Sequence, residues 1–343
     1  MHFSNSHYNQ SSSLNFSAVS PKLVSIVLTT YNGENFLKQQ IDSLIEQTYP
    51  NIEIIAMDDG SKDNTVTILN EYAARHSNIN VIQNEVNLGF IKNFEKGCAL
   101  SNGHFIAFSD QDDVWDLGKI KKMVEAIGDY PMIYADSMVC DENLKPTGKK
   151  ISDITLCKDY SSCLEYAIFA RIYGHALFFR KSFYEKINPF PDIIPHDWWL
   201  AYNATLQGGF KFLPEVLVYY RQHSSNLYGI VGGIKGNAGK TTKKDVKPNL
   251  IVENKRDKSE EIKIEREKIR SRVRLFYNIC PDEFVTEKKV LKDIVATYEK
   301  FSLRNNFKRM FIFFHYHKLL LAVKKRSLLR QYLFCLKMFT TIK

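Results

Sequence analysis

Short apolar segments alternate with amphipathic segments over roughly the first third of the chain. The segments 24–30 and 52–57 are apolar and rich in β-branched residues, which indicates buried strands. Between them, 34–47 places its leucines and isoleucines at the three- and four-residue spacing of one helix face. The alternation continues through a helical segment at 63–75, a strand at 81–83, a helical segment at 89–100 and a strand at 104–108. This pattern predicts a parallel sheet with helices on both faces.

Beyond residue 130 the pattern changes to longer and more mixed segments. Strands are predicted at 132–139, 176–180 and 210–220, with a helix that begins near Asp197. We therefore predict an α/β fold, a Rossmann-like mixed sheet flanked by helices. The divisions expected are a disordered lead-in at 1–21, the α/β domain at 22–228, a flexible linker rich in Gly, Lys and Thr at 229–252, and a basic helical C-terminal extension at 253–343.

Composition narrows the class of protein and its compartment. The chain has 343 residues and six cysteines, and no two cysteines form a C-x-x-C pair. This argues against a zinc site or a disulfide framework and favours a reducing, cytoplasmic location. The first twenty residues lack the apolar segment of a signal peptide. The most apolar segment, 310–323, is interrupted by two histidines and a lysine and falls short of the roughly 20 residues that cross a bilayer.

Positive charge is concentrated in the C-terminal extension. The net charge is +9, and residues 300–343 contain eleven Lys and Arg with no Asp or Glu. Because these residues are interleaved with Phe and Leu, they predict an amphipathic helix at the inner face of the membrane, where anionic lipids attract basic side chains. The alternative is a helix that packs on the α/β domain with its basic residues outward. No nucleic-acid recognition motif accompanies the charge, so no nucleic-acid partner is expected.

The apolar strand ending near residue 110 leads into three carboxylates. Residues 105–115 read Phe-Ile-Ala-Phe-Ser-Asp-Gln-Asp-Asp-Val-Trp, which places Asp110, Asp112 and Asp113 at the carboxyl end of a strand. Ligands bind at this end of strands in open α/β sheets, and carboxylate oxygens suit a divalent cation that holds phosphates. Taken alone, the same residues also fit an acidic turn.

Four polar segments follow predicted strands or begin a helix, and their order is informative. They are Thr-Thr-Tyr-Asn-Gly at 29–33, Asp-Asp-Gly-Ser at 58–61, Asp-Gln-Asp-Asp at 110–113 and His-Asp-Trp-Trp at 196–199. Together they resemble the inverting nucleotide-sugar glycosyltransferases of family 2, which have the GT-A fold, over residues 23–228. The Ser-Asp-Gln-Asp-Asp-Val-Trp, His-Asp-Trp-Trp and Tyr-Arg-Gln-His segments are most similar to the rhamnosyltransferase-type branch.

The resemblance implies a binding site for the nucleotide sugar. Tyr31 would stack on the base and Asp59 would accept a ring N–H of uracil or thymine. Two alternatives stay open: the Asp58–Asp59 pair caps the following helix, and Lys92 is a solvated helix charge rather than a phosphate ligand. The implied donor-binding residues are Thr29, Tyr31, Asn32, Asp59, Lys92 and Asp110.

The resemblance also implies a metal ion and a catalytic base. Mg²⁺ or Mn²⁺ would be held by Asp112 directly, by Asp110 as its helper and by His223, with Asp113 the weaker candidate. Asp197 matches the base that takes the proton of the acceptor hydroxyl, although a helix cap is the alternative at this position.

Three residues beside Asp197 are candidates for binding the acceptor. His196 stands where the family more commonly has Glu, so its role is open between contact with the acceptor, tuning of Asp197 and a place before the helix. Two adjacent Trp side chains cannot share one helix face, so one of Trp198 and Trp199 is expected in the core and the other against the acceptor sugar.

The function expected from this resemblance is metal-dependent transfer of a sugar, with inversion. The best candidate donor is dTDP-L-rhamnose, and the acceptor is a saccharide or lipid-linked saccharide of bacterial O-antigen or capsule. UDP-glucose, UDP-galactose and UDP-N-acetylhexosamines are alternative donors. Two alternatives come from other classes: a sugar nucleotidyltransferase and a catalytically idle, membrane-associated binding protein. This chain lacks the Gly-rich basic loop that a nucleotidyltransferase would have after its first strand, and the presence of all the expected carboxylates argues against an idle protein.

Overall fold

The computed structural model describes residues 20–169, 172–224, 226, 258–300, 302–322 and 327–339. Most of the predicted lead-in and the whole of the predicted 229–252 linker lie outside these residues. The described part contains nine strands: β1 (Val24–Thr30), β2 (Ile52–Asp58), β3 (Ile79–Gln83), β4 (Phe105–Asp110), β5 (Val114–Trp115), β6 (Met132–Cys140), β7 (Pro146–Lys150), β8 (Leu177–Arg180) and β9 (Lys211–Arg221).

The helices fall into a set within the α/β domain and a set after it. The domain contains α1 (Leu37–Ile45), α2 (Thr65–Ala73), α3 (Phe90–Leu100), α4 (Lys119–Ala126), α5 (Ile151–Ile154), α6 (Leu164–Ala167), α7 (Lys181–Ile187) and α8 (His196–Thr205). The C-terminal extension contains α9 (Lys258–Ile279), α10 (Val285–Glu299), α11 (Leu303–His315), α12 (His317–Leu320) and α13 (Leu328–Lys337).

All nine strands form one mixed sheet. Its order is β3-β2-β1-β4-β8-β6-β9-β5, with β7 paired to β6. The four strands β3, β2, β1 and β4 are parallel, β8 is antiparallel to β4 and β6, and β9 is parallel to β6. The predicted α/β fold with a mixed sheet is thus confirmed. Because Thr29 pairs with Asp110 in the β1–β4 register, the polar segments after these two strands lie side by side.

The sheet separates two apolar layers, as the alternation of side chains along a strand requires. On β1, Ile26 and Leu28 face the layer that contains α1 and α2, whereas Val27 faces the layer that contains α3 and α8. All three are fully buried. The second layer is the larger because the extension adds its own side chains to it.

The C-terminal extension packs on the α/β domain. The Tyr202 hydroxyl on α8 donates to the Phe276 carbonyl on α9 at 2.9 Å, and the two rings stack with centroids 3.8 Å apart. One of the eleven basic residues, Arg309, is fully buried and donates to the carbonyls of Thr297 and Met338. The basic tail also reaches the domain, because the Phe334 ring on α13 lies 5.6 Å from the Phe169 ring. Packing on the domain is thus observed, whereas the burial of Arg309 departs from the expectation that the basic residues point outward. Within the described residues, every helix is too short or too polar to span a bilayer.

Candidate active site

Gln111 fastens the segment after β1 to the segment after β4. Its Oε1 accepts from the Tyr31 N–H at 2.8 Å, and its Nε2 donates to the Tyr31 carbonyl at 3.0 Å. A Cβ at position 33 would lie 2.1 Å from the Gln111 Oε1, so glycine is required there for the amide to approach. The sequence analysis assigned no role to Gln111, because this contact joins segments that are far apart in the chain.

The predicted nucleoside-binding residues lie at this edge of the sheet. The Tyr31 side chain is 49% exposed, which leaves an aromatic face open to a base. Asn32 has a positive φ of 47°, which Asn tolerates better than most residues. Its N–H donates to the Ser61 Oγ and its Oδ1 accepts from the Lys62 N–H, so it connects the turns that follow β1 and β2.

The two adjacent carboxylates after β2 both serve the local backbone. The fully buried Asp58 accepts from the N–H groups of Gly60 and Ser61 at 3.1 and 2.9 Å, whereas α2 begins only at Thr65. It therefore stabilises the turn after β2, which corrects the expectation that it caps α2.

Asp59 holds the loop that leads into α3. Its Oδ1 accepts from the Leu88 N–H and the Asn84 amide at 2.8 and 3.0 Å, and its Oδ2 accepts from the Gly89 N–H at 2.9 Å. A carboxylate oxygen has two acceptor lone pairs, and among the described residues Gly89 is the single hydrogen-bond partner of Oδ2. Contact between Asp59 and a base stays a prediction that this geometry permits.

Lys92 is engaged by protein groups. Its ammonium donates to Glu95 Oε2 at 2.8 Å and to the Phe190 carbonyl at 2.6 Å, and it lies 3.3 Å from Asp192. These contacts join α3 to the loop before α8. A contact with the donor phosphate stays a prediction, and the observed role of Lys92 is to hold this loop.

The carboxylates after β4 meet a histidine that sequence reasoning missed. Asp110, Asp113 and His175 bring one potential metal-ligand atom each to within 4.8 Å of one another. His175 Nδ1 lies 3.4 Å from Asp113 Oδ2 and 3.9 Å from Asp110 Oδ2, while its Nε2 lies 3.0 Å from the Ser137 hydroxyl. Since β8 is antiparallel to β4, continuing their register brings position 175 opposite position 110.

Asp112 and His223 form a second contact beside this group. Asp112 Oδ2 lies 2.8 Å from His223 Nε2 and accepts from the Asn226 amide at 3.2 Å. The expectation that His223 reaches back toward the carboxylates agrees with this geometry. The predicted trio of Asp110, Asp112 and His223 is thus divided between two neighbouring groups, and Asp113, the weaker candidate, belongs to the buried one.

The electrostatics of the buried group suit a cation. Burial raises the pKa of Asp113 well above its usual range, and the charges of Asp112 and Asp110 add to this shift. Partial burial, then Asp112 and Asp197, raise the pKa of Asp110 to about 7, whereas Lys119 opposes the shift. Burial lowers the pKa of His175 to about 3, so its ring is neutral and can ligate a metal.

Unpaired acceptor capacity in the same group supports this interpretation. Asp113 Oδ2 is buried and has no hydrogen-bond partner among the described residues. An unsatisfied buried carboxylate oxygen is costly, and a divalent cation would satisfy it. Carboxylate oxygens with one neutral imidazole are a donor set that fits Mg²⁺ or, with the nitrogen ligand, Mn²⁺.

Arg221, at the end of β9, positions the carboxylate loop. Its N–H donates to Asp113 Oδ1 at 3.0 Å and its Nε donates to the Asp112 carbonyl at 2.7 Å. The guanidinium also donates to Gln39 Oε1 on α1 and lies over the Phe36 ring, 4.5 Å from its centroid. Arg221 therefore ties the loop to β9 and to the start of α1, a role that the sequence analysis did not assign to it.

Asp197 lies in the first turn of α8 and is the candidate base. Its Oδ1 accepts from the Trp198 N–H at 2.7 Å. Burial raises its pKa to about 7, although this hydrogen bond acts in the opposite direction. Its charge also raises the pKa of Asp110, so the two carboxyl groups interact across the site. A carboxyl group whose pKa lies near neutral pH can take up a proton from a substrate.

The residues beside Asp197 differ from expectation. Trp198 and Trp199 are both buried, 8% and 7% exposed, and their indole N–H groups donate to the carbonyls of Tyr166 and Ile187. The expectation that one of these rings faces the acceptor sugar is therefore wrong for this structure. The extension covers the Trp198 ring, because the Arg272 guanidinium on α9 lies 4.1 Å from its centroid.

His196 is enclosed by aromatic rings. Its ring contacts Phe90, Phe94 and Phe108, with centroids 4.5 to 5.7 Å apart. A Cβ at Gly174 would lie 2.9 Å from its Nε2. Burial lowers its pKa to about 3, and neither ring nitrogen has a hydrogen-bond partner among the described residues. Of the three roles left open for His196, a place at the start of the helix is the one that its position in α8 fits, and its ring is neutral and buried in the core.

A mixed sheet of this order, with carboxylates gathered at the ends of β2 and β4, is typical of glycosyltransferases of the GT-A fold. Residues 25–186 match the family model described as glycosyl transferase family 2. The dTDP-rhamnosyl transferase RfbG of Shigella flexneri is 30% identical over 221 residues, which cover 59% of this chain and 73% of the relative. On this evidence the chain belongs to glycosyl transferase family 2.

Two further comparisons agree with this assignment. An uncharacterized glycosyltransferase of Haemophilus influenzae is 27% identical over 239 residues, 65% of this chain and 72% of the relative. The structure of S. aureus TarS 1-349 in complex with UDP-GlcNAc superposes with a TM-score of 0.53 over 92% of this chain and 80% of that chain. At 17% identity the superposition supports the fold alone.

Proposed function

We propose that the protein transfers a sugar from a nucleoside diphosphate to a saccharide acceptor, with inversion, during assembly of a bacterial cell-surface polysaccharide. The observation that carries this proposal is the gathering of Asp110, Asp112 and Asp113 at the end of β4, with Asp110 close enough to Asp197 for their charges to interact. The cluster suits a metal-bound diphosphate, and Asp197 suits an acceptor hydroxyl.

Asp110, Asp113 and His175 would hold the divalent cation, with Asp112 and His223 at its side. When bound, Mg²⁺ or Mn²⁺ offsets the negative charge that grows on the leaving diphosphate. Gln111 and Arg221 keep the loop in place, the first from the β1 side and the second from α1. Tyr31 and Asp59 would hold the nucleoside at the neighbouring edge.

Asp197 would accept the proton of the acceptor hydroxyl. As the acceptor oxygen bonds to the anomeric carbon, the bond from that carbon to the diphosphate breaks on the opposite face, and the proton passes to the carboxylate. The Trp198 N–H fixes Oδ1, which leaves Oδ2 for the hydroxyl. A pKa near 7 gives the carboxylate enough basicity to take the proton while it remains ionised in part at neutral pH.

The proposed donor is dTDP-L-rhamnose. Its support is the Shigella flexneri relative, which is named a dTDP-rhamnosyl transferase, together with the sequence motifs at residues 109–115 and 196–199. A second relative, TuaG of Bacillus subtilis, is named as a putative teichuronic acid biosynthesis glycosyltransferase, which supports a polysaccharide acceptor. UDP-glucose, UDP-galactose and UDP-N-acetylhexosamines are the alternative donors.

A panel of donors tests the proposal. The purified protein is incubated with Mn²⁺ and with each of dTDP-L-rhamnose, UDP-glucose, UDP-galactose and UDP-N-acetylglucosamine, and release of the nucleoside diphosphate is measured. We expect metal-dependent release from dTDP-L-rhamnose. Release from a UDP-sugar instead would reject the rhamnosyl assignment and keep the class of reaction. Binding of no nucleotide sugar in calorimetry would reject the transferase proposal.

We also propose that the acceptor is carried on a lipid and that the protein works at the inner face of the cell membrane. The charge of the extension supports this: it holds eleven basic residues from Lys300 onward and no acidic one. Anionic lipids attract such a segment.

A further inference from the structure

Exposed apolar side chains are concentrated on two helices of the extension. Of the sixteen large hydrophobic side chains that are exposed in the described part of the chain, eight lie on α11 and α13. Scattered single hydrophobic residues are normal on a protein surface, but a contiguous group indicates an interaction surface.

On each helix these side chains form a stripe. On α11, Leu303, Phe307 and Phe311 recur every four residues and are 71%, 49% and 63% exposed. On α13, Leu329, Leu333 and Leu336 are 68%, 50% and 51% exposed. Residues three or four positions apart lie on one side of a helix, so each set forms a single row.

The fold itself does not use these rows. The opposite side of α11 is buried through Arg309 and Phe313, and the opposite side of α13 is buried through Phe334 and Cys335. The packed side of α13 is apolar, and the packed side of α11 holds Phe313 beside the hydrogen-bonded Arg309, while the outward side of both helices is apolar as well. A helix with this pattern is typical of an element buried on two sides, and for α11 the neighbouring helices of the extension cover only one of them.

Ring contacts join the two helices that carry the rows. The Phe307 ring on α11 lies 4.7 Å from the Phe339 ring that follows α13, and the Phe314 ring lies 5.8 Å from the Tyr332 ring. These pairings run in opposite directions along the two helices, so α11 and α13 are antiparallel neighbours. We name the six exposed side chains of the two rows, with Tyr332, the α11/α13 face.

Charge indicates what covers the α11/α13 face. Arg304 on α11 and Arg330 and Lys337 on α13 are exposed beside the rows, as is Lys318 on α12. Residues 300–343 contain no Asp or Glu. A second copy of the chain would bring like charges together, whereas an anionic lipid surface offers phosphate groups to the basic residues and an apolar interior to the leucines and phenylalanines.

We propose that the α11/α13 face docks on the surface of an anionic phospholipid bilayer, with its Leu and Phe side chains in the interfacial region and Arg304, Arg330 and Lys337 at the phosphates. This names the surface and partner for the membrane location in the proposed function, and it rests on that function for its purpose. The docked helices share an apolar core with Trp198 and Trp199 on the helix that carries Asp197, so docking would hold the base in a fixed relation to the bilayer.

Vesicle flotation of the full chain tests the docking. Vesicles of phosphatidylcholine with phosphatidylglycerol are compared with vesicles of phosphatidylcholine alone, without any nucleotide sugar. We expect flotation with the anionic vesicles, a decrease with added salt, and little with the neutral ones. The double variant Leu329→Glu, Leu333→Glu should bind at least about tenfold more weakly, because it removes apolar insertion and adds repulsion.

Matched controls show whether the loss of binding is specific to the α11/α13 face or follows from a charge change at any exposed site. Val285→Glu on α10 introduces one negative charge in place of an apolar side chain at a site that is 72% exposed and outside the face, and it should bind as the unmodified protein does. The pair Arg330→Glu, Lys337→Glu should weaken binding to anionic vesicles, whereas the exposed Lys289→Glu on α10 should have little effect. Equal losses in the variants and their controls would overturn the proposal.

Two further measurements decide between the remaining outcomes. Sedimentation of the unmodified protein and of the Leu329→Glu, Leu333→Glu variant reports self-association. If the unmodified protein is a dimer, the variant is a monomer and neither binds vesicles, the face belongs to a second copy and the proposal is overturned.

Donor consumption in solution should be unchanged in the variant. An active enzyme that ignores anionic vesicles refutes the docking alone, whereas an inactive protein that still binds them refutes the transferase function alone.

Discussion

The active site has a nucleoside end, formed by the segments after β1 and β2, and a charged end, formed by the carboxylates after β4 and by Asp197. The polar groups of the two ends differ in how completely they are hydrogen-bonded. Asp58 and Asp59 accept several hydrogen bonds from neighbouring loops. At the other end, Asp113 Oδ2 has no hydrogen-bond partner among the described residues, and the pKa of Asp197 is raised to about 7. The first end is therefore shaped by the protein alone, whereas the second stores unfavourable electrostatics that a cation and a substrate can relieve.

Removing divalent metal should have the largest effect, because it leaves the charged end without its counterion. With EDTA in the assay, we expect transfer to fall by about a thousandfold or more, and Mn²⁺ or Mg²⁺ should restore it. The measurement is release of nucleoside diphosphate, with CD as the control for folding. Full activity in EDTA would show that the carboxylate cluster acts without a metal.

Removal of the base should come next. Asp197→Asn keeps the shape of the side chain and its acceptor for the Trp198 N–H, but it cannot take a proton. We expect kcat to fall by about 10² to 10⁴ while KM for the donor changes little. Glu185→Gln, an exposed carboxylate on α7, is the matched control and should be fully active. An Asp197→Asn enzyme with an unchanged kcat would remove this residue from the mechanism.

The pH dependence of kcat gives a smaller and more specific effect. Because burial raises the pKa of Asp197 to about 7, the ionised form needed for catalysis is gained as the pH rises through that value. The rate should therefore increase from pH 6 to pH 8, with about a tenfold change per pH unit well below the pKa. Initial rates at saturating donor and metal test this. A flat profile over this range would indicate that a group other than Asp197 limits proton transfer.

A pair of matched substitutions should give the smallest effect and compares the two ends directly. Asp58→Asn places an amide where four donors converge, so the free energy of unfolding should fall by about 1–3 kcal/mol. Asp113→Asn removes a buried negative charge but keeps an acceptor for the Arg221 N–H, so without metal the free energy of unfolding should stay level or rise. Urea unfolding in EDTA measures both. If Asp113→Asn proved as damaging as Asp58→Asn, the two ends would not differ.

Local pattern predicted the parallel half of the sheet and the position of the carboxylates. Strands β1 to β4 and their intervening helices were predicted from hydrophobic periodicity. Asp110 and Asp197 were selected as site candidates because of the sequence motifs that contain them. His175, Arg221 and Gln111 were missed because their roles depend on contacts between residues distant in sequence, such as the antiparallel β4–β8 pairing. The short β5 and β7 and the helices α4 to α7 were also missed, since few residues in each carry a periodic signal.

The error on the tryptophans has a definite physical reason. A helix with one buried face must expose one of two adjacent side chains, and that rule led to the expectation of an acceptor-facing ring. Helix α8 does not have one buried face: apart from Asp197, all of its residues are buried. The α/β domain covers one side and the extension covers the other, so the rule did not apply.

The position of α9 against α8 also bears on how the protein matures. Residues 258–279 leave the ribosome well after the sheet is complete, yet Phe276 stacks on Tyr202 and Arg272 lies over Trp198, on the helix of the catalytic carboxylate. During synthesis, the helix of Asp197 therefore keeps an uncovered apolar side until the extension emerges. The packing around the catalytic centre is thus completed only when α9 has been synthesised, shortly before the helices that carry the α11/α13 face.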